Sequence, residues 1–293
     1  MMGRNHMYSG LAVGVAAGVV LDLPAAPLAV GAIVCAGAAV LPDIDHPDAT
    51  MAKTFGPVTG LLAWIVNRLS GGHRNGTHSG IGIAILSAAT FAVFALHTRN
   101  PLMLLAGLSI TATLAGSGLL AWIFTPATRG RGRTPKRAYK SAWGGPAAAA
   151  FMVAAALVFV VAALLWPTQV GMGGVAVLLV LTMAAAIRTL RIKGWVDDAL
   201  PLPIAWWVLH EGIDVSALPY LIVAGAVVHV AGDMITKGGC PWGWPFSQAN
   251  RGPQLIATNG IVERRVIVPI LLTATVLLLA WESGIIAKAL RTP

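Results

Sequence analysis

Apolar stretches of about 17–25 residues recur along the chain, a length that lets an α-helix cross the hydrocarbon core of a bilayer. Of the 293 residues, 57% are hydrophobic and only 11% are charged. A soluble domain usually has roughly 25% charged residues, because its surface needs polar cover. The sequence therefore excludes a soluble globular enzyme, a disordered chain and a secreted mini-protein. It predicts an all-α, polytopic helical membrane protein.

The predicted architecture is a single membrane domain, residues 1–293, with about eight transmembrane helices. Segment 55–69 mixes apolar residues with Trp64, Asn67 and Arg68, which predicts an interfacial or re-entrant helix. Polar motifs at 42–78 and 229–233 can meet on one membrane face only if the chain also crosses at 196–213. We therefore expect a short or broken crossing in that segment.

Basic residues indicate the orientation in the membrane. The loop 125–145 holds six basic residues and no acidic residue, which is typical of a cytoplasmic loop. We expect this loop, the N-terminus and the motif loops to face the cytoplasm of a bacterial inner membrane. The net charge of +9 then reports topology and contact with membrane lipids, and no nucleic-acid partner is expected.

The first polar cluster, LPDIDHPD at 41–48, follows an apolar span. It brings Asp43, Asp45, His46 and Asp48 together, and carboxylates this close repel each other unless a cation or proton intervenes. Carboxylate oxygen and imidazole nitrogen suit Zn²⁺, Mn²⁺ or Fe²⁺. The alternative is a solvated turn with an aspartate helix cap, and we favour that alternative for Asp48 alone.

The second cluster, GHRNGTHS at 72–79, contains an Asn-Gly turn signal just before the next span. His78 is the stronger ligand candidate because it leads directly into that helix, and Thr77 or Ser79 is expected to cap it. One histidine here is alternatively only an orienting hydrogen-bond partner. His73 and Arg74 equally suit contact with an anionic substrate.

Two further clusters lie near the C-terminal end of the chain. His229 and Asp233 are four residues apart inside an apolar span, so they share one helix face. Ionisable residues at membrane depth usually serve a function, although a buried pair that stabilises helix packing is the alternative. The segment 259–265 holds Glu263 between polar and basic residues, a pattern also typical of an ordinary cytoplasmic helix start.

In this order, the motifs resemble the YdjM-like inner-membrane metal-dependent hydrolase family. The matching pieces are His6, LPDIDHP at 41–47, HRNGTHS at 73–79, HVAGDMITKGGCP at 229–241 with a following Trp-Pro, and NGIVER at 259–264. The resemblance covers roughly residues 1–80 and 220–282, which we interpret as a family-like core. Residues of about 100–215 then form inserted transmembrane spans.

The resemblance implies a hydrolytic site with one or two divalent metal ions, zinc above all, with manganese or iron as alternatives. The metal-site candidates that it carries over are His6, Asp43, Asp45, His46, His78, His229 and Asp233. Asp45, Glu263 and His73 are the candidates for catalytic proton transfer. Four cations beside the motifs suit a phosphate-bearing headgroup, namely Arg74, Lys237, Arg264 and Arg265.

The leading hypothesis is hydrolysis of a lipidic, phosphate-bearing substrate by metal-activated water at the cytoplasmic membrane face. An ester or amide bond in an acyl lipid is an open alternative. Intramembrane His and Asp residues also line ion pathways, so a divalent-metal transporter, or a metal-binding protein without hydrolytic activity, is the second hypothesis. Most candidates lie at span ends, which favours the enzyme. A scaffold held by polar clusters is the third hypothesis.

Overall fold

The computed structural model describes residues 3–124, 161–190 and 199–284. Helices form the regular structure of these residues, beside two isolated β-bridges, and the predicted all-α class is confirmed. The helices are α1 Gly3–Val20, α2 Ala25–Ala38, α3 Pro57–Ser70, α4 Gly80–Thr98, α5 Pro101–Phe124, α6 Pro167–Thr189, α7 Pro201–His210, α8 Leu218–Ile235 and α9 Val268–Glu282. Short 3₁₀ turns at Leu41–Asp45, Met51–Lys53 and Gly76–His78 connect them, and a π-helical turn at Glu263–Ile267 precedes α9.

Within the described residues, six segments are long and apolar enough to cross a membrane. They are Ala25–Asp45, Gly80–Thr98, Pro101–Ile123, Pro167–Thr189, Leu218–Ile235 and Glu263–Glu282. The chain is therefore a multi-pass membrane protein, but these segments do not confirm the predicted total of about eight. The predicted cytoplasmic loop 125–145 lies outside the described residues.

Small residues let α2 approach its neighbours closely, and this sets the centre of the bundle. A Cβ atom on Gly10 of α1 would lie 2.6 Å from the Cys35 carbonyl oxygen on α2. A Cβ atom on Gly225 of α8 would lie 2.5 Å from the same oxygen. Such backbone contacts are typical of helices that pack in lipid. They hold the start of α1, the end of α2 and the end of α8 together at one end of the bundle, which we call the motif end.

Helix α6 belongs to the segment that the sequence analysis expects to be inserted, yet it packs in the core. Its Val175, Leu179 and Met183 are buried, and Gly37 of α2 touches the backbone of Thr182. The division into a family-like core and inserted spans stays a prediction. In the folded chain, however, α6 packs directly against the central helix α2.

The chain must return across the bundle between α6 and α8. Helix α6 ends at the motif end, where Arg188 Nη1 donates a hydrogen bond of 3.0 Å to the Thr54 carbonyl oxygen. Helix α8 also runs towards the motif end, so it begins at the opposite end. The ten-residue helix α7 lies on this return path, and at about 15 Å it is too short to cross a bilayer by itself. The short or broken crossing at 196–213 stays a prediction, because residues 191–198 lie outside the described residues.

The segment predicted as an interfacial or re-entrant helix is helical, from Pro57 to Ser70. It packs mainly against the three 3₁₀ turns at the motif end. Its location relative to the membrane stays a prediction.

Candidate metal site

Five ionisable side chains meet at the motif end, although they come from four separate parts of the chain. They are His6 in the first turn of α1, Asp43 in the 3₁₀ turn after α2, His78 just before α4, and His229 and Asp233 near the end of α8. All are buried except Asp43, which is half-buried. His229 and Asp233 converge because they lie on one face of α8. The end of α2 lies beside α8 and brings Asp43 to the same place.

Asp43, His78 and His229 form the first potential ligand group. The Asp43 Oδ1 atom lies 3.5 Å from His78 Nε2 and 3.7 Å from His229 Nε2. The two Nε2 atoms lie 3.1 Å apart. The ligand atoms of this group are all within 4.8 Å of one another, a spacing that one metal ion can fill.

Hydrogen bonds decide which nitrogen of each imidazole carries the proton. His229 Nδ1 lies 2.7 Å from the Ala39 carbonyl oxygen, which can only accept, so this nitrogen donates. The Thr77 hydroxyl donates to Asp45 Oδ2 at 2.5 Å and therefore accepts from His78 Nδ1 at 2.9 Å. In neutral rings both Nε2 atoms then point lone pairs at each other. This contact requires a proton or a cation between them.

His6, His229 and Asp233 form the second potential ligand group. His6 Nε2 lies 3.2 Å from Asp233 Oδ1, and the His6 ring stacks on the His229 ring with a centroid distance of 3.7 Å. His6 Nδ1 is buried without a hydrogen-bond partner among the described residues. Because His229 Nδ1 is bound to Ala39, its Nε2 atom serves both groups. The groups are therefore two parts of one site.

Asp233 joins the two parts. Its Oδ1 faces His6, whereas its Oδ2 lies 3.8 Å from His78 Nε2 and 3.0 Å from Arg74 Nη2. A carboxylate with one oxygen towards each group suits a bridging ligand.

Asp45 is fully buried, and both of its carboxylate oxygens accept hydrogen bonds from the Gly72–Ser79 segment. Oδ1 lies 2.8 Å from His73 Nδ1, and Oδ2 accepts from Thr77 and, at 3.1 Å, from the Arg74 backbone N–H. Arg74 adopts a left-handed conformation with φ of 62°, which turns its N–H towards this carboxylate. These contacts favour an orienting role, and direct metal binding by Asp45 stays a prediction.

His46 and Asp48 lie at the edge of the site. His46 Nδ1 accepts a hydrogen bond of 3.0 Å from the Asp48 backbone N–H, and its ring meets the His73 ring edge-on. Asp48 is exposed and pairs with Lys53 at 2.9 Å, and this ammonium lowers the pKa of the Asp48 carboxyl. Asp48 thus has the environment that the solvated-turn interpretation predicts. His46 as a metal ligand stays a prediction.

Glu263 is fully buried, but it lies outside both ligand groups. Its Oε1 accepts from Asn5 Nδ2 at 2.5 Å, and its Oε2 accepts from the Asn259 backbone N–H at 2.7 Å. Since Asn5 precedes His6, Glu263 anchors the first turn of α1 beside the site. A catalytic role for Glu263 stays a prediction.

The four predicted substrate-binding cations differ in position. Arg74 reaches the site through Asp233, and its guanidinium fits beside Gly238, where a Cβ atom would lie 2.6 Å from Nη1. The others are exposed at the motif end: Lys237, Arg264 and Arg265.

Sequence reasoning missed two residues that shape the site. Thr77 was expected only as a possible cap, but Ser79 caps α4 by accepting from the Gly82 N–H at 3.0 Å, while Thr77 links His78 to Asp45. Asn5 was not singled out. The sequence feature that could have identified Asn5 is its amide side chain next to His6, at the start of an apolar span.

The model of the YdjM inner membrane protein family matches residues 1–192. The match takes in His6 and the first two motifs, runs through α6 and ends before α8. No curated protein and no solved structure matches the chain. The match covers about two thirds of the sequence, so the chain belongs to the YdjM inner membrane protein family, and the family predicted from the motifs is confirmed.

Proposed function

We propose that this chain is a membrane-embedded, metal-dependent hydrolase that acts on a lipidic, phosphate-bearing substrate at the cytoplasmic face of the inner membrane. The observation that carries this proposal is the 3.1 Å contact between His78 Nε2 and His229 Nε2 beside the Asp43 carboxylate. Two imidazole lone pairs and a carboxylate that converge in a buried space suit a divalent cation.

The donor set passes a further test of fit for a metal. Among the described residues, the buried Nδ1 of His6 has no hydrogen-bond partner, and a buried polar atom of this kind is costly unless a ligand or water satisfies it. The second nitrogen of His229 is held by a backbone carbonyl and that of His78 by Thr77, as is usual for metal-binding imidazoles. Asp43, His78 and His229 would hold one ion with Asp233, and His6 with Asp233 would contribute to a second.

Imidazole nitrogens favour zinc, manganese or iron over magnesium and calcium, with zinc our first choice. Such an ion would lower the pKa of a bound water and polarise the bond to be cleaved.

His73 is our candidate for proton transfer. Its Nδ1–H donates to Asp45 Oδ1 at 2.8 Å, which leaves Nε2 to accept a proton. The His73 side chain is 32% exposed, whereas that of Asp45 is fully buried. The His73 and His78 ring centroids are 5.5 Å apart, so His73 lies beside the ligand group without belonging to it. Asp45 then orients the base.

Arg74 is our candidate for binding the phosphate. Its guanidinium carries five N–H donors, and its ion pair with Asp233 is made by Nη2. The side chain is 30% exposed, so it joins the buried site to its surroundings. Planar, charged donors of this kind suit phosphate oxygens.

The position of the site supports a lipid substrate over an ion pathway. Asp43 lies in the last turn of the candidate span Ala25–Asp45, and a span of this length would place its end near the lipid headgroups. The five ligand candidates lie together at the motif end and are not spread along the bundle as a transport path requires.

The activity test uses the purified, zinc-loaded chain in lipid vesicles with phosphatidic acid, phosphatidylglycerol and isoprenoid phosphates as probes. We expect phosphate or headgroup release from one class, lost in Asp43→Ala and kept in Asp48→Ala, which changes an exposed carboxylate of the same motif. A metal-loaded, folded chain that is inert towards every lipid phosphate would contradict the proposed activity. Uptake of zinc into sealed vesicles would instead support the transporter.

A further inference from the structure

The outer face of helix α3 is apolar and exposed from Val58 to Trp64. Val58, Leu61, Leu62 and Trp64 are 73%, 60%, 39% and 52% exposed. They recur at the three- and four-residue spacing that places side chains on one helix face. A contiguous apolar face of this kind marks a contact surface and not ordinary surface variation.

The opposite face of α3 is fixed to the motif loops. Thr59 and Ala63 are buried, and Thr59 Oγ1 donates to the Ala52 carbonyl oxygen at 3.0 Å. Near the other end, Asn67 Nδ2 donates to the Asp45 carbonyl oxygen at 2.5 Å. The outward direction of the apolar face is therefore determined by contacts on the inward face.

One of the bonds to α3 comes from the end of a candidate membrane span. Asp45, to which Asn67 binds, is the last residue of the candidate span Ala25–Asp45. Helix α3 is about 21 Å long, and it is tied at both ends to turns at the motif end. It therefore stays next to the place where the chain leaves the bilayer.

A cation and a tryptophan lie together on this helix. The Arg68 guanidinium lies 5.4 Å from the centre of the Trp64 ring. Tryptophan with arginine or lysine at the rim of an apolar face is typical of helices that lie at the membrane–water interface.

We propose that α3 docks on the bilayer that holds the chain. Its apolar face enters the boundary between headgroups and acyl chains, and Arg68 contacts lipid phosphates. A re-entrant helix at greater depth would need protein cover for its ends. Since α3 packs mainly on the 3₁₀ turns, an interfacial position fits its contacts. This inference requires neither a metal nor hydrolysis.

Site-directed spin labelling of the full chain in phosphatidylcholine–phosphatidylglycerol vesicles tests the proposal. Cys35 and Cys240 are both buried, and they are first replaced by Cys35→Ala and Cys240→Ala. The test label is placed at Leu61→Cys. Asp48→Cys, in the same region, is the aqueous control, and Leu277→Cys on the exposed side of α9 is the lipid control.

The readout is the ratio of collisions with oxygen, which concentrates in lipid, to collisions with a water-soluble nickel chelate. We expect a ratio at Leu61 several-fold above that at Asp48 and close to that at Leu277. A ratio equal to that at Asp48 overturns the proposal, because the face is then in water. An immobilised label that neither reagent reaches also overturns it, because a second copy or another protein then covers the face. The Asp48 and Leu277 labels verify that the variants are folded.

Discussion

His78 Nε2 and His229 Nε2 lie 3.1 Å apart, although the two residues are separated by 151 positions in sequence. Thr77 and the Ala39 carbonyl oxygen hold the opposite nitrogen of each ring. The two lone pairs are thereby aimed at each other with the Asp43 carboxylate alongside. A packing role alone does not explain why both rings are oriented in this way, since a neutral pair gains nothing from the contact.

Thr77→Val should weaken metal binding without removing a ligand. The change deletes the hydroxyl that accepts from His78 Nδ1 and donates to Asp45. Loss of such an outer partner typically costs about 10–100-fold in metal affinity. Competition with a fluorescent zinc chelator measures the affinity. Thr77→Ser keeps the hydroxyl and should bind zinc as the wild type does. Equal zinc affinity of Thr77→Val and the wild type would show that Thr77 does not support the metal site.

His73→Asn should separate proton transfer from metal binding. Asparagine removes the basic Nε2 while keeping a polar side chain near Asp45. We expect unchanged metal content and a fall in the rate of hydrolysis of about 10²–10⁴-fold, the usual contribution of a general base. Elemental analysis and the vesicle assay measure the two effects on the same preparation. Full activity in this variant would exclude His73 as the base.

Asn5→Leu should destabilise the bundle. It removes the donor to the buried Glu263 carboxylate. A buried polar group that loses its partner lowers the free energy of unfolding by about 1–3 kcal/mol, and a charged group lowers it by more. Thermal unfolding in detergent measures the loss, with Gln248→Leu at an exposed position as the control. The double variant Asn5→Leu with Glu263→Leu should lose less than the sum of the two single changes. Strict additivity would show that the two residues do not interact.

Gly37→Ala should disturb the packing of α2 on α6. A Cβ atom there would collide with the Thr182 backbone, which cannot move aside as a side chain can. Overpacking of this kind costs about 1–3 kcal/mol or more. Gly116→Ala is the matched control, because among the described residues its added Cβ has no atom within 4 Å beyond its chain neighbours and the backbone of its own helix. We expect a lower unfolding temperature for Gly37→Ala alone, and equal temperatures for both variants would contradict the observed closeness of α2 and α6.

Several site residues were predictable from the sequence because polar residues are conspicuous in an apolar chain. His229 and Asp233 stand out because charged groups are costly inside an apolar span, and Asp43 and His78 because they lie at span ends in dense polar motifs. The meeting of these motifs was expected from their chemistry, and the parity of the crossings then required a further crossing at 196–213. Chemistry and topology together thus suffice to bring the ligand groups to one end of the bundle.

Other features depend on tertiary contacts that no local pattern encodes. Whether Asp45 binds a metal or its neighbours depends on the left-handed turn at Arg74, which places three donors around its oxygens. The contact of Glu263 with Asn5 joins residues 258 positions apart and depends on how α1 meets the start of α9. The central position of α6 likewise depends on its close contact with Gly37.

Metal content, measured by elemental analysis of the detergent-purified protein, tests the central claim most directly. The wild type is compared with a variant carrying Asp43→Ala and His229→Ala, and with Asp48→Ala as the matched control. We expect one or two equivalents of zinc, manganese or iron in the wild type and in Asp48→Ala, and none in the double variant. A folded wild type without metal, even after incubation with excess ions, would contradict the account, because the cluster would then be a hydrogen-bonded network.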